Sequence, residues 1–219
     1  MFYSLDSLKK EIRVALDQNN SSAALLDIKD IDTLTLEEII ESKIVDAAIS
    51  VETDAPVHLL DTGKDFAASI TWESEKGYGP GFTQLPDDFL RLICFKMSDW
   101  SYAVTEAVSE DSTMYMMQRS RYPGIRGCPE RPVVAITSQP TGKMLEFYSC
   151  TSGESASVTR ARYLPVPRIV KDANEHDGVE ICERLKPAVV YKAAEFVAKT
   201  LNNVDLASIM MNLCNELMK

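Results

Sequence analysis

The hydrophobic period changes twice along this chain, and no other feature restricts its fold as strongly. Near the start, Leu5, Leu8, Ile12 and Leu16 recur at three- and four-residue spacing, which predicts a short amphipathic helix ending at Asn19 and Asn20. A second helix is predicted from Thr35, where Thr35 and Glu38 have the spacing of a capping box. Leu36, Ile40, Ile44 and Ala47 form its apolar stripe, and it stops before Pro56. The intervening SSAALLDIKDID is acidic and turn-prone. Helical spacing then fades, and β-branched and aromatic residues rise across FAASITWES, FLRLICFKM, YAVTEAVS, RPVVAITSQ, KMLEFYSC and SVTRARYLPV. These runs predict five or six short strands. KGYGPG, PGIRGCPERP, QPTG and TSGES supply the turns between them. QPTG is the strongest hairpin signal, because proline presets one turn dihedral and glycine tolerates a positive one. Past LPVPR the chain turns acidic and helical again. Pro187 suits a first turn, Val190, Ala194, Val197 and Leu201 share one face, and Leu206, Ile209, Met210, Leu213 and Leu217 share another.

Helices, strands, helices in that order imply an α+β fold: helices at both ends, a central antiparallel β-sheet region and a C-terminal helical hairpin. The expected organisation is an N-terminal helical segment over 1–56, a β-rich region over 57–171 and the hairpin over 172–219, all in one compact unit. At 219 residues the chain can bury a sizeable core without a staple. Its five cysteines, Cys94, Cys128, Cys150, Cys182 and Cys214, are odd in number and form no CxxC pair. They read as reduced thiols packed in the core, with neither a disulfide framework nor a zinc site. No window approaches the ~20 apolar residues that span a bilayer, and the opening residues lack a basic start followed by an apolar run. A soluble product of the cytosol, with no membrane partner, is expected.

LPDDFLRL holds an adjacent pair of carboxylates. Asp87 and Asp88 follow a proline turn at the entry to an apolar strand, where adjacent side chains point to opposite faces. A shared catalytic site is therefore not expected of them, and turn capping is. His58 and His176 lie in unrelated polar surroundings without ligand spacing. Phosphate-binding and nucleophile motifs are missing, and Gly77, Gly79 and Gly81 in GYGPG read as a flexible turn. The residues thus nominate no catalytic group, metal or cofactor, although a hydrolase with a non-sequential triad around Cys94 or Ser149 stays open. Trp72 and Trp100 read as anchors at a core or interface edge.

The formal net charge of −10 argues against general affinity for nucleic acid. The charge is unevenly spread: residues 1–112 hold 9 basic and 22 acidic side chains, 113–171 hold 9 and 3, and 172–219 hold 5 and 8. Within the basic middle, Arg119, Arg121, Arg126 and Arg131 accompany Tyr122 and the cluster Met114, Met116 and Met117. That mixture reads either as an adaptable contact surface or as local core. A soluble binding module using this segment is an alternative to the reading that follows.

LPDDFLRLICFKMSDW, then VTEAV, MYMMQRSRYPGIRGCPERPVVAI, KMLEFYSC and VYKAAEFVAKTLNNVDLASIMMNLCNELM together resemble the head-to-tail adaptor (ring or connector) proteins of short-tailed crAss-like bacteriophages. The resemblance covers roughly residues 65–219, with Tyr191, Ala194 and Asp205 as landmarks of the closing helices. It implies a structural, non-enzymatic subunit of the virion, made in the host cytoplasm. Such subunits close into a ring of about twelve copies that stacks on the portal protein, meets other tail proteins and passes DNA through its lumen. Adaptors of this kind are largely helical, so the strand-rich middle implies an inserted β-domain. Under this reading Arg119, Arg121, Tyr122, Arg126 and Arg131 make subunit contacts, because arginine forks suit the carboxylates of an acidic neighbour. Met210, Leu213 and Leu217 of the last helix are expected in a contact of the same kind.

Overall fold

The computed structural model describes residues 1–16, 35–73, 80–120, 122, 124–150 and 156–219. Along them the order is β1 (Phe2–Ser4), α1 (Leu5–Ala15), α2 (Leu36–Asp54), β2 (Lys64–Asp65), β3 (Thr71–Trp72), β4 (Gly81–Gln84), β5 (Phe89–Met97), β6 (Val108–Ser109), α3 (Thr113–Gln118), β7 (Val134–Gln139), β8 (Gly142–Phe147), β9 (Val158–Pro165), β10 (Ile169–Lys171), β11 (Asp177–Glu180), α4 (Lys186–Thr200) and α5 (Val204–Leu217). The fold is α+β, with helices at both ends and α4 and α5 as the C-terminal pair. The chain divides into two compact units: Met1–Asp61 with Val166–Lys219, and the intervening Thr62–Pro165.

The helical unit joins the two chain ends because each carries apolar faces that it cannot bury alone. α4 is its centre, burying Ala188, Val189, Val190, Ala193, Ala194, Val197 and Ala198, and α2 and α5 pack on it. The small alanines let neighbouring helices come close. α2 contributes Leu36, Ile40, Ile44, Ala47, Ala48 and Val51, the stripe read from the sequence and its continuation. Its start is the expected capping box: the Thr35 N–H donates to Glu38 Oε2 at 2.7 Å and the Glu38 N–H to Thr35 Oγ1 at 3.4 Å. Lys9 pairs with Glu41 at 2.7 Å, Arg13 with Glu37 at 2.7 Å, and Lys186 with Glu11 at 2.6 Å. These half-exposed pairs set helix register more than they stabilise.

One stretch corrects the sequence reading. Residues 169–180 are not helical: β10 and β11 form an antiparallel hairpin, and β11 also pairs with β1. The reason is the turn between them. Asp172 Oδ1 accepts the N–H of Asn174 at 2.7 Å and of His176 at 2.9 Å, and Glu175 takes a φ of 64°. An acid-rich segment that looked helical by composition closes a tight turn instead.

Among the described residues the β unit holds two sheets, one ordered β2–β9–β5 and the other β3–β4–β8–β7–β6. Pairing is antiparallel, as expected, except that β6 runs parallel to β7. QPTG closes the β7–β8 hairpin, with Gln139 opposite Gly142 and Gly142 at a φ of 123°. YAVTEAVS is only partly a strand: Val108 and Ser109 join β7, and Val104 makes one bridge to Phe95. The core gathers Leu85, Phe89, Leu92, Phe95, Met97, Trp100, Leu145 and Phe147. Phe95 and Phe147 are 5.3 Å apart, with Trp100 edge-on to Phe147 at 5.6 Å. Trp100 is therefore a core residue, while half-buried Trp72 meets Phe147 edge-on from β3 at 5.7 Å. These two rings explain Gly81, whose added Cβ would stand 2.5 Å from the Phe147 ring and 2.9 Å from that of Trp72. The unit's first and last strands are paired, Lys64 opposite Tyr163, so its two ends lie side by side as an insertion requires.

Candidate functional site

Alternation along β8 decides what the five-stranded sheet exposes. Leu145 and Phe147 enter the core, so Glu146 and the following Tyr148 face the other way, with Phe82 of β4 and Thr137 of β7 on the same side. The short helix α3 covers this side. Ser112 caps it by accepting the Tyr115 N–H at 3.2 Å, and its inner residues are Tyr115 and Gln118. Between helix and sheet lies a cavity of about 370 Å³ lined by Phe82, Tyr115, Arg119, Thr137, Glu146 and Tyr148 among others.

Two side chains hold the loop that follows α3. Gln118 Nε2 donates to the Met114 carbonyl at 3.0 Å, and its Oε1 accepts the Gly127 N–H at 2.7 Å. Ser149 Oγ accepts the Val133 N–H at 2.9 Å. The Ser149 hydroxyl, a candidate nucleophile on sequence grounds, is thus engaged with backbone.

The cavity's centre is a buried carboxylate. Glu146 is 5% exposed, its Oε2 accepts the Tyr115 hydroxyl at 3.1 Å, and Tyr148 lines the same cavity. Arg119 lies over the Tyr115 ring, 5.5 Å from its centroid, with Nη2 3.4 Å from the phenol oxygen. Burial and the Glu146 charge raise the pKa of both phenols, and Arg119 opposes this only in part. Both therefore stay protonated, and Tyr115 serves Glu146 as a donor.

The arginines proposed as subunit contacts have different surroundings. Arg119 is stacked on Tyr115, half-buried Arg126 lines the cavity, and Arg131 Nη2 reaches the Gly124 carbonyl at 3.4 Å. Arg121 lies outside the described residues. Tyr122 is 71% exposed, and Met114, Met116, Met117 and Ile125 are also exposed. The methionine cluster is thus surface, not core.

In the helical unit, α5 rests on α4 through Ala207, Met210 and Cys214. Leu206 and Leu213 are half-buried, whereas Ile209 is 55% and Leu217 42% exposed. The stripe read as one face is therefore split: Met210 is core, and Ile209 and Leu217 form an outer flank. A stripe wider than the helix it meets has this outcome.

Burial pushes the Cys150 and Cys182 thiols up to about 12 and raises Cys214, which keeps all three protonated. Asp87 is exposed, and Asp88 instead accepts the Tyr163 hydroxyl at 2.8 Å. His58 follows α2, and His176 sits in the β10–β11 turn. Among the described residues no three His, Cys, Asp or Glu side chains are grouped to hold a metal.

Sequence reasoning missed Tyr115, Thr137, Glu146 and Tyr148. One signal was present: in KMLEFYSC a lone acid and a tyrosine two residues apart share a face that alternates with Leu145 and Phe147. Compared with known families, no family model matches the chain, and no curated protein shows significant similarity to it.

Proposed function

We propose that this chain is a non-enzymatic structural subunit of a short-tailed bacteriophage virion, an adaptor at the head–tail junction that closes into a ring beside the portal. The observation that carries the reading is the outer flank of α5. Ile209 and Leu217 are left to solvent beside half-buried Leu206 and Leu213, and the segment belongs to the stretch resembling the adaptors' closing helices. An apolar flank left exposed on α5 fits a surface that a neighbouring subunit covers. Two further features support it. A β unit inserted into a helical unit accommodates the strand-rich middle that departs from the mostly helical adaptors, and exposed Met114, Met116, Met117 and Tyr122 give that unit an adaptable contact surface of its own.

The test is imaging of the parent particle together with a doubly substituted flank, Ile209→Asp with Leu217→Asp. Because neither side chain is buried, the purified variant is expected to fold as the wild type and to be missing from assembled junctions. Copies of the wild-type chain located away from the tail axis, or normal incorporation of the variant, would overturn the reading.

A further inference from the structure

We propose that the cavity between α3 and the five-stranded sheet binds an organic cation, an alkylammonium or guanidinium group, against Glu146. The inference is independent of the virion reading, and either can fail alone. Glu146 is 5% exposed and receives a hydrogen bond from the Tyr115 phenol, yet it takes part in none of the ion pairs among the described residues. A carboxylate offers about four acceptor positions, and burying its charge is costly unless a cation is paired with it. One phenol leaves acceptor positions of Glu146 unfilled.

A second observation points to the same place. Thr137 is 3% exposed, and its Oγ1 is buried in the cavity wall without a hydrogen-bond partner. Orphaned buried hydroxyls are uncommon and call for a partner. An ammonium carries three donors and a guanidinium five, so either has donors enough for both Glu146 and Thr137. The rings of Phe82, Tyr115 and Tyr148 line the same space, and aromatic faces attract cations. An anion fits less well. Of the two guanidinium groups that line the cavity, Arg119 is exposed and stacked on Tyr115 and Arg126 is half-buried, and an anion drawn to either would meet the Glu146 charge. The volume, about 370 Å³, suits a group the size of a side chain.

The experiment titrates the full-length, nitrogen-15-labelled chain with n-butylammonium and n-butylguanidinium, with butyrate as the anionic control, and reads amide shifts. Saturable shifts are expected at amides of residues 115–127 and 137–148 with either cation and not with butyrate. Glu146→Gln keeps an acceptor for the Tyr115 phenol and should weaken cation binding at least about tenfold. Thr137→Val should weaken it about threefold. If Glu146→Gln does not fold, Thr137→Val and the cation–anion comparison decide. Parallel titrations with spermidine and with a blocked lysine peptide separate the two sources of this chemistry, a free polyamine or a protein side chain, by which saturates first. The proposal is overturned by absence of a saturable shift, by equal binding to Glu146→Gln, or by saturation with butyrate.

Discussion

Truncating neighbouring residues on α5 should give opposite results, because Met210 and Ile209 lie on different sides of its boundary with α4. Met210 is 6% exposed, so Met210→Ala removes nearly all of a buried thioether chain and leaves a cavity against α4. Burial of a methionine is worth about 1.5–3 kcal/mol, and the cavity adds to it, so the expected loss is about 2–4 kcal/mol. Ile209 is 55% exposed, and alanine is the better helix former, so Ile209→Ala should stay within about 0.5 kcal/mol of wild type. The assay is urea unfolding followed by circular dichroism at 222 nm, a signal dominated by the helical unit. With a slope of about 1–3 kcal/mol per molar urea, Met210→Ala should lower the midpoint by roughly 1 M or more and Ile209→Ala should leave it in place. Met210→Leu conserves volume and should recover all but about 1.5 kcal/mol. Equal losses at the two positions would show that the flank is covered within a single chain. The case for a neighbouring subunit there would then be gone.

Other positions give sharper local readings. Gly127→Ala would place a Cβ against the Ser149 hydroxyl and 2.9 Å from Gln118 Oε1, so it should cost about 1–3 kcal/mol, read by thermal unfolding of the β unit. Glu52 is buried in the helical unit, where desolvation raises its pKa even though it accepts the Cys182 N–H at 2.9 Å. Its charged form is therefore disfavoured in the folded state, so its contribution worsens as pH rises from about 4.3, the unfolded value, through the raised folded value. Glu52→Gln, which keeps an acceptor, should stabilise the unit at pH 7 and show no gain below pH ~4, checked by midpoints measured at both pH values. Iodoacetamide at pH 8 followed by mass spectrometry should label partly exposed Cys94 and Cys128 before buried Cys150, Cys182 and Cys214; early labelling of Cys182 would contradict its raised pKa of about 12.

Features that depend on a few neighbours in the chain were legible in the sequence. The Thr35–Glu38 capping box needs four residues and one helical turn, and QPTG needs only a proline's fixed dihedral and a glycine's freedom, so both appear as read. The α+β class followed from the change of period, because periodicity reports which side of an element must be buried. Periodicity does not say what buries it. The α5 stripe looked single until α4 took Ala207, Met210 and Cys214 and left Ile209 and Leu217 outside. The hairpin at 169–180 depended on Asp172 bonding two backbone amides, and on β1, more than 160 residues away, supplying the third strand. Buried acids were equally out of reach. Glu195 at 1% exposure is held by Lys192 and Lys199, whereas Glu146 sits behind α3 among phenols supplied by residues 115 and 148. A glutamate's spacing is the same whether water or protein covers it, and only the packed chain sets the solvation that gives its charge a consequence.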